Sequence, residues 1–249
     1  IALMPVIETL TVLSPEDKQY HPYLADSWTI SPDGLVYTFK LHPGVKFHDG
    51  TAFDATAVKF NFDRIVDPAT KSAYASGLMG QYDKSVVVDA QTVEVHLKKP
   101  QPAFLDATSQ VPLGFLSPAA VAKYGADINK NPIGTGFFKF SSYTPKEKIE
   151  FVKNPDYNWP SPLWGHTGPA YLDKWTIIVA DDPAARVTAL ESGDANAIED
   201  TPGQDVARLS ADKKYTLMQA LLPGCPRTFF LNIEKAPLDD IEVRKAINW

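Results

Sequence analysis

The sequence contains a single cysteine, Cys225, in 249 residues. One cysteine excludes an internal disulfide framework and a cysteine-rich structural zinc site. The sequence also lacks any run of about 18 consecutive apolar residues, the length that a membrane-spanning helix requires. It therefore predicts no bilayer-spanning segment, and the cysteine count leaves the redox compartment open.

Positive charge is also scarce. Lys and Arg number 24 against 30 Asp and Glu, which gives a net charge of −6, and no basic block occurs. Because affinity for a phosphate backbone depends on clustered Lys and Arg, this composition argues against a nucleic-acid partner. The length, with 44% hydrophobic and 22% charged residues, indicates a globular protein of one large domain or two modest ones.

Neither end of the sequence carries the usual signals of a terminus. The start, Ile1-Ala2-Leu3-Met4-Pro5, has no positive region and no small-residue cleavage motif, so no secretory signal is visible. The last stretch, residues 239–249, has acidic residues where a helix would start but no terminating Gly or Pro. We expect sequence to be missing at both ends.

The first half predicts a small β-rich unit with helices. Residues 28–30 and 35–41 are predicted strands, joined by the turn Ser31-Pro32-Asp33-Gly34. Asp54 is the predicted cap of a helix that ends at Asp67-Pro68. A hairpin over 86–97 and a short helix from Ser117-Pro118 to Gly125 complete the pattern.

From about Asn131 the pattern changes to strands that alternate with helices. This alternation indicates a mixed α/β layer rather than a β-sandwich. The predicted helices cover 183–191 and 204–209. The predicted strands are 137–140, 148–152, 175–179, 197–199, 215–220 and 228–233.

The histidines are not predicted to form a metal or acid–base site. In Phe47-His48-Asp49-Gly50, adjacent side chains on a turn point in different directions, and Asp-Gly is itself a turn signal. We therefore expect a structural role for this motif. The other histidines never fall at the helical spacings of a zinc protease; they are His21, His42, His96 and His166.

Two further motifs favour structural over chemical roles. Residues Gly134-Thr135-Gly136 precede a predicted strand, the opposite of a dinucleotide fingerprint, so they predict a tight turn where the backbone approaches closely. Cys225 has no activating histidine or helix start near it in sequence, which favours a packed or cleft-lining cysteine over a nucleophile. We expect no catalytic residue, no metal site and no cofactor.

Several segments, taken together, resemble the bacterial extracellular solute-binding proteins of family 5, the peptide and nickel type that serves ABC importers. Each segment is weak alone, but their order and spacing extend over nearly the whole chain. The segments are LADSW (24–28), SPDGLVYTF (31–39), GVKFHDGT (44–51), NPIGTGFF (131–138), NPDY (154–157), ESGD (191–194), NIEKAPLDD (232–240) and VRKAIN (243–248).

The resemblance implies an α/β fold of the periplasmic-binding-protein type (type II), with two lobes around a cleft. On this basis the chain is a fragment with one α/β lobe and an inserted β-rich subdomain, and the second lobe is largely missing. The implied division is residues 1–11 as part of lobe I, 12–130 as the inserted α+β subdomain, 131–228 as the lobe I core, and 229–249 as the start of lobe II.

The resemblance also implies a site, because the segment entering the second lobe lines the cleft in this family. Gly224, Cys225, Arg227 and Thr228 are the candidate ligand contacts in that segment, and Arg227 suits a carboxylate. Asp200 and Thr201 follow a predicted strand whose end would face the cleft. The alternative is that all six are hinge and loop residues.

Three aromatic residues in a Pro-rich loop have two interpretations. Tyr157, Trp159 and Trp164 form either a platform on which a solute stacks or a set of side chains that anchor the loop by packing. Packing is the commoner use of loop aromatics, so we expect it here.

The function implied by the resemblance is reversible capture of a peptide or similar small solute, an oligopeptide or dipeptide, and its delivery to ABC permease subunits. The expected location is periplasmic or the extracellular face of the cytoplasmic membrane. Contact with the membrane is expected only through the transporter or a lost lipid anchor. A hydrolase and a non-transport interaction module remain the alternatives, and a hydrolase would require a nucleophile with a base.

Overall fold

A computed structural model describes residues 3–219 and 229–247. The chain divides into two compact units, Ile1–Ala180 (unit 1) and Asp181–Trp249 (unit 2). The four candidate contacts at 224–228 lie outside the described residues. No helix in the described ranges has the length and apolar character needed to cross a membrane.

Unit 1 begins with two antiparallel sheets. Strands β1 (Thr11–Leu13) and β2 (Tyr20–Pro22) form a two-stranded ribbon. The four-stranded sheet has the order β3-β4-β6-β5, with all neighbours antiparallel. Its strands are β3 (Ala25–Ile30), β4 (Val36–Leu41), β5 (Tyr82–Asp89) and β6 (Thr92–Leu97).

The predicted alternation in β4 is confirmed. Tyr37, Phe39 and Leu41 are buried, whereas Lys40 is exposed. Side chains of a strand point alternately to its two faces, so one face of β4 joins the core. The turns at 31–34 and 89–91 lie where the sequence predicts them, between β3 and β4 and between β5 and β6.

Helix α1 (Ala55–Val66) covers this sheet. The side chain of Asp54 caps it by accepting from the amide of Ala57 at 2.9 Å, and Asp67 ends it, as predicted. Val58, Phe62 and Ile65 are buried on one face. The remaining helices of unit 1 are short: α2 (Ala73–Met79), α3 (Phe104–Thr108) and α4 (Pro118–Tyr124), the last opened by Ser117 and closed by Gly125 as predicted.

A three-stranded antiparallel sheet completes unit 1, in the order β7-β8-β9. Its strands are β7 (Phe138–Thr144), β8 (Lys148–Lys153) and β9 (Lys174–Ile178). Phe138 and Phe151 from this sheet pack with Val6 and Ile7 in a small second core. The three strands predicted between 137 and 179 are therefore confirmed.

Unit 2 differs from its prediction. Helices α5 (Pro183–Ser192) and α6 (Gly203–Ala211) form as predicted, and α7 (Ile241–Ile247) follows. The predicted strand at 197–199 is absent, and so are the described parts of those at 215–220 and 228–233. Residues 216–219 are exposed, and a strand needs both a neighbour for its backbone and a face to bury.

The predicted domain boundaries after residues 11, 130 and 228 stay predictions. The two compact units of the structure meet in sequence between Ala180 and Asp181, which is none of these predicted boundaries. The main core of unit 1 combines residues from both sides of position 130, since Tyr157 and Trp159 pack with Leu10 and the four-stranded sheet.

Candidate functional site

Two of the six predicted contact residues lie in the described part of unit 2. Asp200 is exposed and has a left-handed backbone (φ 55°), and its carbonyl accepts from Arg186 Nη2 at 3.1 Å. Thr201 is half-buried and lines a cavity of about 400 Å³ with Ile198, Val206 and Leu209. The structure thus brings Thr201, but not the Asp200 side chain, to a concave surface.

The predicted turn at Gly134-Thr135-Gly136 is confirmed, and it approaches the N-terminal segment closely. The Gly136 amide donates to the carbonyl of Val6 at 2.9 Å. A Cβ on Gly134 would lie 2.1 Å from that same carbonyl oxygen. Only glycine fits here, because any side chain would collide with a backbone atom.

His48 supports this turn, as expected for a structural residue. Its Nε2 lies 2.8 Å from the Gly136 carbonyl oxygen, and its backbone amide donates to Gly134 at 2.8 Å. Burial lowers the pKa of His48 to about 4. Asp49 accepts from Thr51 in the same turn and from Ser117 at the start of α4, so the pair is not arranged as an acid and a base that share a proton.

The other histidines each have a local partner. No cluster of three His, Cys, Asp or Glu side chains suited to a metal occurs within residues 3–219 and 229–247. The partners are Asp17 for His21, Asp26 for His42, Glu94 for His96 and the Pro169 carbonyl for His166.

A buried carboxyl group lies where Thr135 meets the Pro-rich loop. Glu8 is 1% exposed. Its Oε1 accepts from the Tyr157 hydroxyl at 2.6 Å, and its Oε2 accepts from Thr135 Oγ1 at 2.7 Å and Trp159 Nε1 at 3.0 Å. One carboxyl therefore joins three segments that are far apart in sequence.

Burial raises the pKa of Glu8 to about 7, although hydrogen bonds from Tyr157, Thr135, Tyr23 and Trp159 oppose this increase. The folded protein then holds a proton that an unfolded glutamate releases near pH 4.5. The stabilisation from this proton is complete below about pH 4.5 and is lost as the pH rises through about 7.

A cavity of about 450 Å³ in unit 1 opens beside this carboxyl. Most of its wall is apolar or aromatic, and its polar lining residues include Glu8, Thr9, Tyr23, Ser109, Tyr157 and His166. Such a lining holds an apolar group, with a few polar atoms to orient it. The wall also includes Met4, Ile7, Val12, Val111, Phe137, Phe138, Trp164, Tyr171 and Leu172.

Two of the three aromatic side chains in the Pro-rich loop are buried. Tyr157 and Trp159 are 3% and 7% exposed, and their rings lie 5.1 Å apart between centroids. Both donate to Glu8, as described above, which agrees with the packing interpretation. Trp164 is 49% exposed and contacts the edge of Tyr23 at 6.0 Å, so it alone keeps an accessible face.

The sequence matches one protein family over most of its length. The model for bacterial extracellular solute-binding proteins, family 5 (middle), matches residues 19–249. The chain belongs to this family. The resemblance proposed from the sequence segments is therefore confirmed.

Curated relatives of this chain include glutathione-binding proteins GsiB. That of Pectobacterium atrosepticum is 35% identical over 227 residues, or 91% of this chain, and that of Escherichia coli strain K12 is 33% identical over the same length. In both cases the alignment covers 42% of the relative. The chain thus spans well under half the length of these family 5 proteins.

Solved structures confirm the expected fold class, a type II periplasmic-binding-protein fold present in part. MoaA from A. tumefaciens R10, in complex with mannopinic acid, has a TM-score of 0.82 at 28% identity, over 99% of this chain and 49% of that one. NikZ from Campylobacter jejuni, in complex with Ni(L-His), has a TM-score of 0.79 at 28% identity, over 98% and 47%.

The role of Glu8, which lines the cavity in this family 5 chain, was not predicted from the sequence. The available signal was an acidic residue within the apolar run Val6-Ile7-Glu8-Thr9-Leu10. A carboxyl in such a run is either exposed at a turn or buried with hydrogen-bond partners. The partners themselves lie more than 120 residues later, beyond the reach of local patterns.

Proposed function

We propose that the protein is the solute-binding component of an ABC importer. It captures a peptide or similar small solute in a cleft between two lobes and delivers it to a membrane permease, at the periplasmic or extracellular face of the cytoplasmic membrane. The observation that carries this proposal is the match to the family 5 model over residues 19–249. This family consists of binding proteins, which agrees with a role that breaks no bond.

The names of the relatives favour a peptide over the other solutes of the family. The two GsiB proteins are named for glutathione, a tripeptide. DppA from Helicobacter pylori, 30% identical with a TM-score of 0.73, was solved with the peptide STSA. Other solved structures hold different ligands: NikZ and MoaA, at 28% identity, contain Ni(L-His) and mannopinic acid, and NikA from Brucella suis, at 33%, contains Fe(III)-EDTA. The choice of a peptide therefore rests on the GsiB proteins, which align over 91% of this chain.

The proposed mechanism is closure of two lobes over the solute. In the arrangement we propose, lobe I consists of residues 1–11 and 131–228, residues 12–130 form an inserted subdomain, and 229–249 begin lobe II. The solute stabilises the closed state because it contacts both lobes only there. The permease then recognises that closed state.

The proposed contacts are the six residues identified from the sequence. Arg227 pairs with a peptide carboxylate through its planar guanidinium, while Gly224, Cys225 and Thr228 supply hydrogen bonds. Asp200 and Thr201 contact the solute from the segment that leads into α6. The proposed chemistry needs no cofactor, because each contact is a reversible hydrogen bond or ion pair.

Calorimetric titration of the full-length protein with glutathione and a dipeptide panel tests the proposal. An Arg–carboxylate pair contributes about 1.5–3 kcal/mol, so Arg227→Gln should weaken binding by about 10- to 150-fold. Arg208→Gln is the matched control, since Arg208 already pairs with Glu191 and Asp205 on an exposed surface. It should leave the affinity unchanged.

A peptide with an amidated C-terminus sharpens this test. It should bind the unmodified protein about as weakly as the Arg227→Gln variant binds the free acid, with no further loss when both changes are combined. Equal loss for the two arginine variants would reject the assigned contact. Absence of binding to every peptide, or turnover that survives repurification, would reject the proposed function itself.

A further inference from the structure

Glu8 connects the N-terminal segment to two other parts of unit 1. Its carboxyl accepts from Thr135 in the close turn and from Tyr157 and Trp159 in the loop after β8. Tyr157 also lines the unit 1 cavity, as does Glu8 itself. Any change in the hydrogen bonding of this carboxyl therefore reaches the turn, the loop and the cavity wall together.

We propose that Glu8 is a proton-linked positioning residue, whose protonation reorganises the hydrogen bonds of the Tyr157–Trp159 loop and thereby the polar wall of the unit 1 cavity. The inference concerns unit 1 alone and does not depend on the proposed transport function.

The number of donors and acceptors changes with the proton. An ionised carboxylate only accepts, so it suits the donors that converge on it from Tyr157, Thr135, Trp159 and Tyr23. A neutral carboxyl group carries an O–H that must itself donate, and the oxygens beside it are the hydroxyls of Tyr157, Thr135 and Tyr23. The hydroxyl that accepts this proton can no longer donate to Glu8. The Trp159 N–H is fixed in the plane of its ring, whereas the hydroxyls of Thr135 and Tyr157 rotate. Proton uptake at Glu8 thus redirects a hydroxyl.

The titratable groups hydrogen-bonded to Glu8 are phenols, and His166, which lines the same cavity, pairs with the Pro169 carbonyl. The phenols are Tyr23, on the segment between β2 and β3, and Tyr157, on the loop after β8. Burial and the nearby Glu8 carboxyl raise the pKa of both hydroxyls, so both stay neutral across the physiological range. Thr135 and Trp159 carry no charge.

Glu8 has no ion-pair partner among the described residues. A buried carboxylate without a cation is costly, and the hydrogen bonds to it offset only part of that cost. Burial therefore competes with the hydrogen bonds, and the pKa of about 7 means that the group exchanges its proton near neutral pH. The proton passes between the carboxyl group and solvent, and no other covalent bond is formed or broken.

The indole N–H resonance of Trp159 reports directly on this carboxyl. In the ¹⁵N-labelled full chain we expect that resonance to shift with a midpoint near pH 7, assigned by its absence from Trp159→Phe. Glu8→Gln should abolish the shift, and Glu16→Gln, which alters an exposed glutamate, should keep it. A Trp159 resonance that does not move between pH 5 and 9, or that still titrates in Glu8→Gln, would overturn the proposal.

A measurement on the unaltered chain covers the case in which Glu8→Gln fails to fold. One side-chain carboxyl ¹³C resonance of glutamate should titrate near pH 7 while the others titrate in the acidic range. The melting temperature should fall as the pH rises from about 5 to 8. If every glutamate carboxyl resonance titrated in the acidic range, the inference would be contradicted, whatever the outcome of peptide binding.

Discussion

Units 1 and 2 contrast sharply in how they bury apolar side chains. Unit 1 has two hydrophobic cores that draw on its four-stranded and three-stranded sheets and on α1. In the described part of unit 2, the buried apolar residues are Val187 and Leu209. Phe229, Phe230 and Met218 there are at least 90% exposed.

The contrast shows which forces hold each unit. Burial of apolar surface contributes about 25 cal/mol per Å², so the structure of unit 1 is fixed by tertiary packing. The helices of unit 2 depend more on local features, namely the cap at Asp182 and the left-handed Gly193 that closes α5. Segments with few buried contacts open at low free-energy cost, so unit 2 should open before unit 1.

Removal of a large ring from each unit should give the largest difference. Phe62 is fully buried, with its ring centroid 5.5 Å from that of Phe115, so Phe62→Ala should lower the free energy of unfolding by about 3–5 kcal/mol. Phe230 is 97% exposed, so Phe230→Ala should change it by less than about 0.5 kcal/mol. Urea unfolding followed by circular dichroism measures both, and similar losses would remove the contrast.

Addition of a methyl group at a glycine should give an intermediate effect. A Cβ on Gly134 would meet the Val6 carbonyl, so Gly134→Ala should destabilise unit 1 by about 1–3 kcal/mol. Gly203 in unit 2 has no atom within 4 Å of such a Cβ and begins α6. Gly203→Ala is the control and should be neutral in the same measurement; an equal cost at both positions would show that the close approach to Val6 is unimportant.

Loss of a helix cap should give the smallest effect. Asp54 and Asp182 each accept from a backbone amide, at 2.9 and 3.0 Å, at the start of α1 and α5. Asp54→Ala should lower global stability by about 1 kcal/mol. Asp182→Ala should instead reduce the protection of α5 amides against hydrogen exchange, and the free energy of global unfolding should hardly change. A global loss as large as that of Asp54→Ala would show that α5 unfolds together with unit 1.

Local signals in the sequence were sufficient for most of unit 1. The Pro-Asp-Gly turn, the alternation in β4 and the Asp54 cap act through neighbours in sequence, so their structures followed from pattern alone. The predicted strand at 197–199 failed for the opposite reason. A strand depends on a partner that a local pattern cannot supply.

The candidate site was predictable only in part. Asp200 and Thr201 were selected because they follow the predicted strand at 197–199, which is absent, although Thr201 does line a cavity. Glu8 could not be predicted because its hydrogen-bond partners lie more than 120 residues away in sequence, where no local pattern connects them to it. The buried loop aromatics were anticipated as packing residues, but their common partner was not.

The partners of Glu8 follow it by 127, 149 and 151 residues. At a translation rate of about 5–20 residues per second, about 8–30 s pass between the synthesis of Glu8 and that of Trp159. Throughout that interval Val6, Ile7 and Glu8 remain without the residues that enclose them. Chaperones that recognise nascent apolar segments would thus have longest access to the N-terminal segment, whereas the β3–β4 hairpin can close almost as soon as it emerges.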